Sequence, residues 1–252
     1  MGIFRFKKFD VVNERSAMKV NTDGVLLGAA MTILPSDTTM LDVGTGTGTI
    51  ALMAAQRLSS VILNSSPVIL NEVKNPRIDA IDIDEASASE AAANFANSPW
   101  SPTLKAHHLP LEEFAASTDK VYDLIFSNPP YFEDSLAAPD ERKSTARHTS
   151  EGLSYRDIFE FAKDRLSENG RVSLVLPADQ EAALTRYARM CGLHLFRILR
   201  VRTIPRKTPS RIIAEFSRDR CAELSQELLT IQDEGKYTQE YLSLTRDFYL
   251  FA

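Results

Sequence analysis

The sequence contains few cysteines and none of the cysteine patterns that bind metal. Its 252 residues include two cysteines, Cys191 and Cys221, which stand alone without a Cys-x-x-Cys or Cys/His spacing. A structural zinc site or a disulfide framework needs such clusters. The cysteine content therefore argues against both, and we expect no metal site.

Long apolar segments are missing as well. The longest apolar run, residues 25–34, is too short to span a bilayer and contains the polar Thr32. The N-terminus lacks the basic and apolar regions of a signal peptide. These absences argue against an integral membrane protein and lead us to expect a cytoplasmic one.

An excess of positive charge is also absent. Lysine and arginine total 29 against 34 aspartates and glutamates, which gives a formal net charge of −5. Nucleic acid binding needs lysines and arginines near the phosphates, so any basic surface must be regional. The length and the apolar share of 44% suit a globular protein with a sizeable core. We expect one domain over residues 1–252, in which residues 1–36 supply an N-terminal strand and a helix.

A glycine-rich turn separates two apolar segments early in the chain. The run 40–43 stops at Gly44, Gly46 and Gly48, and residues 49–53 continue with helical character. This order predicts a buried strand, a tight turn and a helix N-terminus whose free N–H groups face a ligand.

The spacing of this turn distinguishes between ligands. It reads G-x-G-x-G, whereas the dinucleotide fingerprint is G-x-G-x-x-G. Asp42, just before the turn, would repel a pyrophosphate but suits a ligand with an amine and a sulfonium. The stretch resembles the first motif of class I S-adenosylmethionine (SAM) methyltransferases. That resemblance implies that Asp42, Thr45 and the three glycines bind SAM.

A second apolar strand, predicted over residues 78–84, ends in acids. Asp82 can accept hydrogen bonds from both ribose hydroxyls, and Asp84 is placed to cap a helix over 85–97. In βαβ nucleotide sites the ribose acid lies roughly 20 residues after the glycines. Asp82 lies 34 residues after Gly48.

Residues 61–76 account for this long separation. They form two segments, 61–67 and 68–76, which both begin with Val-Ile-Leu-Asn. Without these 16 residues the separation shortens to 18. We interpret them as an inserted quasi-repeat that forms a loop or a loose hairpin outside the core.

The most specific motif follows a third apolar strand, residues 121–127, and reads Asn128-Pro129-Pro130-Tyr131. An exocyclic amine of adenine is a poor nucleophile, because its lone pair is delocalised into the ring. The Asn128 side-chain carbonyl and the Pro129 main-chain carbonyl can accept from both N–H groups and free that lone pair. Consecutive prolines restrict the backbone, and the Tyr131 ring can stack on a flipped-out base. We therefore predict a target-base site here.

The segment 19–28 resembles the element before the glycine motif in bacterial adenine-N6 methyltransferases that act on tRNA. It reads Lys-Val-Asn-Thr-Asp-Gly-Val-Leu-Leu-Gly. Apart from residues 61–76, nearly the whole chain is similar to the tRNA1(Val) adenine-N6 methyltransferase family. The resemblance implies SAM-dependent N6-methylation of adenine 37, next to the anticodon, with Thr22 and Asp23 in the cofactor pocket. From residue chemistry alone, Thr22 or Asp23 caps a helix over 24–34.

Two basic regions are candidates for RNA contact. One is the polar segment 133–150, in which Arg-His-Thr matches the family pattern, and the other is a predicted antiparallel hairpin, 193–220. The hairpin carries eight lysines and arginines with only Glu215 and Asp219 against them. The residues that we assign to RNA contact are Lys19, Phe132, Arg147, His148, Arg206, Lys207 and Arg211. A solvated loop and an ordinary charged edge strand remain alternatives.

The predicted strands alternate with predicted helices, among them 49–58 and 153–166, after an edge strand over 4–9. We therefore predict an α/β, Rossmann-like fold of the class I SAM methyltransferase type. It has a mostly parallel seven-stranded sheet, helices on both faces and a C-terminal antiparallel hairpin. Parallel sheets bind ligands at the carboxyl ends of their strands, so Asp82 and Tyr131 should open onto one site.

The strand predicted over 103–108 departs from the usual pattern of SAM enzymes. In many of them an acid that binds the adenine amine of SAM follows this strand, whereas His107, His108 and Leu109 occupy these positions here. Recognition of the SAM adenine is thereby left to backbone groups or to another residue, and we assign no ligand role to His108.

Other functions remain open at this point. Glutamine N5-methylation of release factors uses the same Asn-Pro-Pro-Tyr geometry, but those enzymes carry a helical domain ahead of the glycine motif, where this chain has about 40 residues. Guanine-N2 methylation of ribosomal RNA is a second alternative. A non-catalytic RNA- or protein-binding module is the alternative outside enzymes. We expect a monomer that binds tRNA.

Overall fold

The computed structural model describes residues 2–63, 76–131 and 152–252. The strands, numbered in chain order, are β1 (Ile3–Arg5), β2 (Asp10–Val12), β3 (Thr39–Val43), β4 (Arg77–Asp82), β5 (Leu104–His108), β6 (Tyr122–Ser127), β7 (Leu166–Pro177), β8 (His194–Arg202), β9 (Arg211–Ser217), β10 (Ser225–Thr230), β11 (Gln232–Asp233) and β12 (Lys236–Tyr237). The helices are α1 (Thr22–Ala30), α2 (Thr49–Leu63), α3 (Glu85–Ala96), α4 (Leu111–Ser117), α5 (Tyr155–Arg165), α6 (Glu181–Met190) and α7 (Gln239–Thr245).

Eight of these strands form one sheet in the order β10-β8-β9-β7-β6-β3-β4-β5. β3 pairs in parallel with β4 and β6, and the pairs β4–β5 and β6–β7 are parallel too. β9 runs antiparallel to both β7 and β8. The structure thus confirms the mostly parallel α/β sheet and the C-terminal antiparallel hairpin.

The predicted number of seven strands is wrong. β10 pairs in parallel with β8 and adds an eighth strand at the edge of the sheet. Only Leu229 of β10 is buried, so neither an apolar run nor an alternating pattern marks this strand in the sequence.

Helices cover both faces of the sheet. On one face, α1, α2 and α7 pack around Met40 and Leu124. On the other face, α4, α5 and α6 pack around Leu41 and Ile125. Neighbouring residues of β3 and of β6 therefore belong to opposite cores, as expected for strands that are buried on both sides.

The N-terminal residues form a hairpin of their own, in which β1 pairs antiparallel with β2. The single edge strand predicted over 4–9 is therefore wrong beyond Arg5, because residues 6–9 make the connection. The rings of Phe6 and Phe9 stack there at a centroid distance of 4.6 Å and are buried.

Helix α1 begins at Thr22, two residues before its predicted start at Gly24. Its N-cap is Asn21, whose side-chain oxygen accepts a hydrogen bond from Gly24 N at 2.9 Å. The prediction that Thr22 or Asp23 caps this helix is wrong, since both lie in its first turn. The helix also ends at Ala30, before the predicted residue 34.

The end of α2 bears on the predicted insert. This helix runs to Leu63, five residues past its predicted end. Residues 61–63, the first three of the predicted insert, are therefore helical and not a loop. Residues 64–75 lie outside the described part of the chain, so the interpretation as an insert stays a prediction.

Over residues 2–63, 76–131 and 152–252, every helix is too short or too polar to traverse a bilayer. The same ranges contain no group of three or more His, Cys, Asp or Glu side chains that could hold a metal ion.

Candidate active site

The carboxyl ends of β3, β4 and β6 lie side by side in the middle of the sheet. β3 leads into the glycine turn, β4 ends at Asp82, and β6 leads into Asn128. The Ser127 hydroxyl donates to the Val43 carbonyl oxygen at 2.6 Å and joins the ends of β6 and β3. Ligands of open parallel sheets bind at this edge, so the three sequence motifs come together where a site is expected.

The glycine turn depends on having no side chains. The backbone φ angles are 72°, 56° and 80° at Gly44, Gly46 and Gly48. Such left-handed conformations are unfavourable for residues that carry a Cβ. At Gly48 a Cβ would also lie 2.5 Å from the Phe95 ring. The N–H groups of Gly44 and Thr45 both donate to the Ile81 carbonyl oxygen at 2.9 Å, which holds the turn against β4.

Asp82 also holds the turn in place. Its Oδ2 accepts a hydrogen bond from Gly46 N at 2.8 Å, and its Oδ1 accepts one from Asp84 N at 2.9 Å. Burial raises the pKa of this carboxyl, although the two N–H donors oppose the change. Each carboxylate oxygen has more than one lone pair, so Asp82 can still accept from ribose hydroxyls. Asp84 caps α3 as predicted, accepting from Ser87 N.

Ile83 was not selected from the sequence, although it stands between two acids at the end of β4. Its side chain is 68% exposed beside Asp82. His108 Nε2 lies 3.1 Å from the Ile83 carbonyl oxygen. His107 is turned away and bonds the buried Asp79 at 2.9 Å. Of these residues, Ile83 has the exposed apolar side chain that is suited to pack against the adenine ring of a cofactor such as SAM.

Asp42 lies beneath the turn and is fully buried. Its Oδ2 accepts a hydrogen bond from the Thr45 hydroxyl at 2.7 Å, and its Oδ1 has no partner among the described residues. Burial raises the pKa of Asp42 to about 7, although the Thr45 hydroxyl and the nearby Ala51 N–H oppose the change. In this structure Asp42 therefore supports Thr45 from below and does not line the cavity described next.

A cavity opens on the glycine turn. It is lined by Met18, Lys19, Val20, Asn21, Gly24, Gly44, Thr45, Gly46, Thr47, Thr49, Ile50 and Asn128. Gly46 is bonded to Asp82, and Asn128 is bonded to Tyr131. The acid of β4 and the tyrosine after β6 therefore each bond a residue that lines the same cavity.

Seven of the lining residues were not selected from the sequence. They are Met18, Val20, Asn21, Gly24, Thr47, Thr49 and Ile50. Thr47 and Thr49 belong to the glycine motif and its helix start, so extending that motif would have included them. Asn21 could have been selected as a helix cap. Met18 has no local pattern, because tertiary contacts alone bring it to the cavity.

One wall of the cavity is a segment near the N-terminus that α3 holds in place. The Glu90 carboxylate accepts hydrogen bonds from the N–H groups of residues 14–16 at 2.8 to 3.0 Å. Burial raises the pKa of Glu90, but the three donors outweigh it and leave the pKa below its usual value. Asn94 of the same helix donates to the Thr47 carbonyl oxygen at 2.9 Å. α3 therefore ties this wall to the glycine turn.

The predicted base-site motif reaches the cavity through Asn128. Asn128 is 7% exposed and Pro129 is buried, whereas Pro130 is exposed. The Asn128 Oδ1 accepts a hydrogen bond from the Tyr131 hydroxyl at 2.8 Å, and its Nδ2 lies 3.7 Å from Met18 Sδ. The oxygen that was predicted to accept from an amine is thus held at the cavity wall, with the Tyr131 hydroxyl beside it.

Asp23 and Arg211 join this motif from distant parts of the chain. Asp23 Oδ2 lies 3.0 Å from the Tyr131 hydroxyl and accepts a hydrogen bond from Arg211 Nε at 2.8 Å. The Arg211 guanidinium lies 5.1 Å from the centre of the Tyr131 ring. Burial and the charge of Asp23 raise the pKa of Tyr131 above its usual value. The sequence assigned Asp23 to the cofactor and Arg211 to RNA, and the structure brings both to Tyr131.

The remaining predicted contact residues are dispersed. Thr22 is exposed at the start of α1 and does not line the cavity. Lys19 lines it, and its Nζ donates to the carbonyl oxygens of residues 13 and 14. Arg206 and Lys207 are exposed in the connection between β8 and β9. Three predicted RNA contacts lie outside the described residues: Phe132, Arg147 and His148.

Ion pairs neutralise much of the predicted basic hairpin. Its cations are Arg197, Arg200, Arg202, Arg206, Lys207, Arg211, Arg218 and Arg220. Arg197 pairs with Glu215 and Glu227, and Arg200 pairs with Glu181. The expectation of only two opposing acids is wrong, because β10 and α6 supply Glu227 and Glu181 from outside the hairpin. The exposed connection between β8 and β9 keeps its positive charge.

Several curated relatives match almost the entire chain. A tRNA1(Val) (adenine(37)-N6)-methyltransferase of Flavobacterium psychrophilum is 39% identical over 98% of this chain and 99% of its own length. The chain belongs to the tRNA1(Val) (adenine(37)-N6)-methyltransferase family. Members from Bacteroides fragilis and Haemophilus influenzae are 39% and 35% identical, over 98% and 99% of this chain and 97% and 99% of their own lengths. No family model matches the sequence.

Solved structures agree on the fold of this tRNA1(Val) (adenine(37)-N6)-methyltransferase family member. A predicted O-methyltransferase from Agrobacterium tumefaciens superposes with a TM-score of 0.62 at 17% identity, over 90% of this chain and 96% of its own. The M protein of the EcoKI type I restriction enzyme gives a TM-score of 0.56 at 13% identity, over 91% of this chain and 52% of its own. At these identities the likeness establishes a shared Rossmann-like methyltransferase fold and nothing further.

Proposed function

We propose that this chain transfers the methyl group of SAM to N6 of adenine 37 in tRNA1(Val). The observation that carries this proposal is the glycine-turn cavity, which ends at Asn128 and its hydrogen bond to Tyr131. A cofactor site and an amine acceptor thus share one cavity in a chain that belongs to this family. The relatives in Flavobacterium, Bacteroides and Haemophilus carry the name of that activity.

SAM is the cofactor of the proposed reaction, and the residues of the cavity fit it. The bare backbone of the three glycines allows close approach of a ligand. The Asp82 carboxylate can accept hydrogen bonds from ribose hydroxyls, and the exposed side chain of Ile83 can pack on adenine. When bound, SAM supplies an electrophilic methyl group on a sulfonium.

Asn128 and Pro129 prepare the target amine in this proposal. Their carbonyl oxygens accept hydrogen bonds from the two N–H groups and return lone-pair density to the nitrogen. The product nitrogen carries an acidic proton that can leave to water, so no side chain of raised pKa is required. The chain contributes mainly the fixed position of the base relative to the methyl group.

Positive groups around the site account for RNA contact in the proposal. Arg206 and Lys207 are exposed on one connection of the sheet, where phosphates can reach them. The assignments of Lys19, Phe132, Arg147 and His148 to RNA rest on the sequence. We further propose that the chain is one methyltransferase domain and acts as a monomer in the cytoplasm, where its tRNA substrate is found.

A labelling experiment tests the proposed function. The purified chain is incubated with methyl-labelled SAM and total tRNA from a strain that lacks the gene, and the modified nucleoside is mapped. We expect N6-methyladenosine at position 37 of tRNA1(Val). Parallel reactions contain ribosomal RNA and release factors, and labelling of either one without tRNA labelling contradicts the proposal.

A further inference from the structure

The hydroxyl of Tyr131 lies between two acceptors. Asn128 Oδ1 is 2.8 Å away and Asp23 Oδ2 is 3.0 Å away. A tyrosine hydroxyl has a single hydrogen, so it can donate to one of these oxygens at a time. Two arrangements that differ by rotation of the O–H bond are therefore available while the ring stays in place.

The two arrangements leave different acceptors for a target base. When the hydroxyl donates to Asn128, it occupies one of the two lone pairs of Oδ1 and places a positive hydrogen beside the other, which an amine N–H must approach. When it donates to Asp23, both lone pairs of the Asn128 Oδ1 remain available and no hydrogen lies beside them. Asn128 is 7% exposed, so its acceptor depends on these neighbours more than on water. A carboxylate forms the stronger hydrogen bond of the two, since bonds to ionised groups are roughly twice as strong as neutral ones.

Arg211 holds Asp23 in position for this role. Its Nε donates to the same Asp23 Oδ2 at 2.8 Å, and its guanidinium lies 5.1 Å from the centre of the Tyr131 ring. The guanidinium thereby directs the carboxylate toward the hydroxyl and contacts the ring that bears it. Asp23 comes from α1 and Arg211 from β9, so the contact also fixes the base site to two elements of the fold.

We propose that Asp23 is a positioning residue for methyl transfer, which accepts the Tyr131 hydroxyl hydrogen and so leaves Asn128 Oδ1 to the target amine. Arg211 supports this role by fixing the carboxylate. The inference rests on the proposed function, because it concerns the same amine acceptor. It gives Asp23 a role in aligning the base, in place of the cofactor contact that the family resemblance implied.

A double-mutant cycle between Asp23→Asn and Tyr131→Phe tests this inference. At saturating SAM and tRNA, Asp23→Asn should lower kcat at least about tenfold while the Tyr131 hydroxyl is present. In the Tyr131→Phe background the same substitution should lower kcat by no more than about twofold, because no hydroxyl competes for Asn128. The KM for tRNA and the calorimetric Kd for SAM should change by less than about threefold in Asp23→Asn.

Two results overturn the inference. One is an equal loss of kcat from Asp23→Asn in both backgrounds, and the other is a loss that appears mainly in the Kd for SAM. Glu240→Gln is the matched control, because Glu240 is also an acid in the first turn of a helix but is exposed on α7. It should leave kcat unchanged, and thermal unfolding reports whether each variant is folded.

A spectroscopic measurement separates this inference from the proposed function. In protein labelled with ¹³C at the tyrosine ζ carbon, the signal of Tyr131 is the one that disappears in Tyr131→Phe. Asp23→Asn should shift this signal, since it changes the acceptor of the hydroxyl, and an unchanged signal contradicts the inference. If the wild-type chain forms no N6-methyladenosine, the proposed function fails, while this signal still tests the contact.

Discussion

The two halves of the site that we propose to bind the cofactor and the target base are held by different kinds of contact. In the cofactor half, backbone N–H groups of the glycine turn bond the Ile81 carbonyl and the Asp82 carboxylate. In the base half, Tyr131 is held by the side chains of Asp23 and Arg211. The first set is mostly main chain, and the second consists of side chains from distant elements.

The two kinds of contact determine how each half responds to its ligand. The Asp23–Arg211 pair is 22% and 33% exposed, and partly exposed ion pairs contribute about 0 to 1 kcal/mol. Because the pair contributes little stability, the surroundings of the base half can adjust at little cost when a large RNA arrives, while Arg211 still orients the Asp23 carboxylate. The glycine turn has no such freedom, because positive φ angles and the Phe95 ring fix its shape. A fixed site suits a small cofactor, and an adjustable one suits a base inside an RNA.

The largest expected effect separates the two halves directly. Asn128→Ala removes the acceptor of the target amine but leaves the glycine turn in place. We expect kcat to fall by about 100- to 1000-fold, the usual loss for one hydrogen bond made in the transition state. The calorimetric Kd for SAM should stay within about threefold of the wild-type value, because one lost contact outside the turn costs little binding.

The control for this variant is Asn169→Ala, which removes an exposed asparagine of β7 outside the cavity. It should keep wild-type kcat. Near-normal turnover of Asn128→Ala, or a loss explained by weaker SAM binding alone, would remove the assigned role of Asn128.

The rigidity of the cofactor half is tested by Gly48→Ala. An alanine at φ 80° is strained by about 1 to 2 kcal/mol, and its Cβ would lie 2.5 Å from the Phe95 ring. Overpacking adds about 1 to 3 kcal/mol. We expect the free energy of unfolding, measured by denaturant titration, to fall clearly. We also expect weaker SAM binding, measured by calorimetry.

Gly235→Ala provides the matched control for strain. Gly235 has a φ of 78°, and apart from its chain neighbours no atom of the described residues lies within 4 Å of the position of an added Cβ. The free energy of unfolding of this variant should fall by the backbone strain alone, about 1 to 2 kcal/mol. The variant should bind SAM normally. Equal destabilisation of the two variants would show that the Phe95 contact does not restrict the turn.

A smaller effect concerns the buried carboxyl beneath the turn. Burial raises the pKa of Asp42 from 3.8 to about 7, so the folded protein binds this proton more tightly than the unfolded chain does. Its stabilising contribution is complete below about pH 4 and is lost as the pH rises through 7. Relative to wild type, Asp42→Asn should therefore gain Tm as the pH rises from 5 to 8. Thermal unfolding across this range measures the difference.

Asp79→Asn should show no such change in Tm between pH 5 and 8. Burial raises the pKa of Asp79, but hydrogen bonds from His107 and Lys120 lower it more, to about 2. The contribution of Asp79 is thus present above pH 4 and is lost only as the pH falls toward 2. From pH 5 to 8 its Tm difference from wild type should stay constant. A constant difference for Asp42→Asn as well would contradict the raised pKa.

The contrast between the halves also decides what could be predicted from sequence. The cofactor half could be predicted, since the glycine turn is contiguous and its function depends on backbone conformation. Asp82 was predictable too, because a strand end fixes where its side chain lies. These features need only local sequence and the general geometry of parallel sheets.

The support of the base half could not be predicted in the same way. Asp23 and Arg211 are 188 residues apart, and the antiparallel course of β9 brings them together. The strand β10 was missed because one buried leucine does not make a pattern. The cap of α1 was misplaced by one or two residues, since Asn21, Thr22 and Asp23 are all residue types that cap helices. Tertiary contacts decide each of these points.

The smallest expected effect lies at the outer edge of the base half. Lys207 is exposed between β8 and β9, so Lys207→Ala should weaken tRNA binding without changing SAM binding. Loss of one phosphate contact should reduce the slope of log K against log salt by about 0.7 to 0.9, and lower affinity about fivefold near 0.15 M salt. Lys236→Ala, at an exposed lysine of β12, is the control and should change neither quantity. If both variants give the wild-type salt slope, the β8–β9 connection does not contact the RNA backbone.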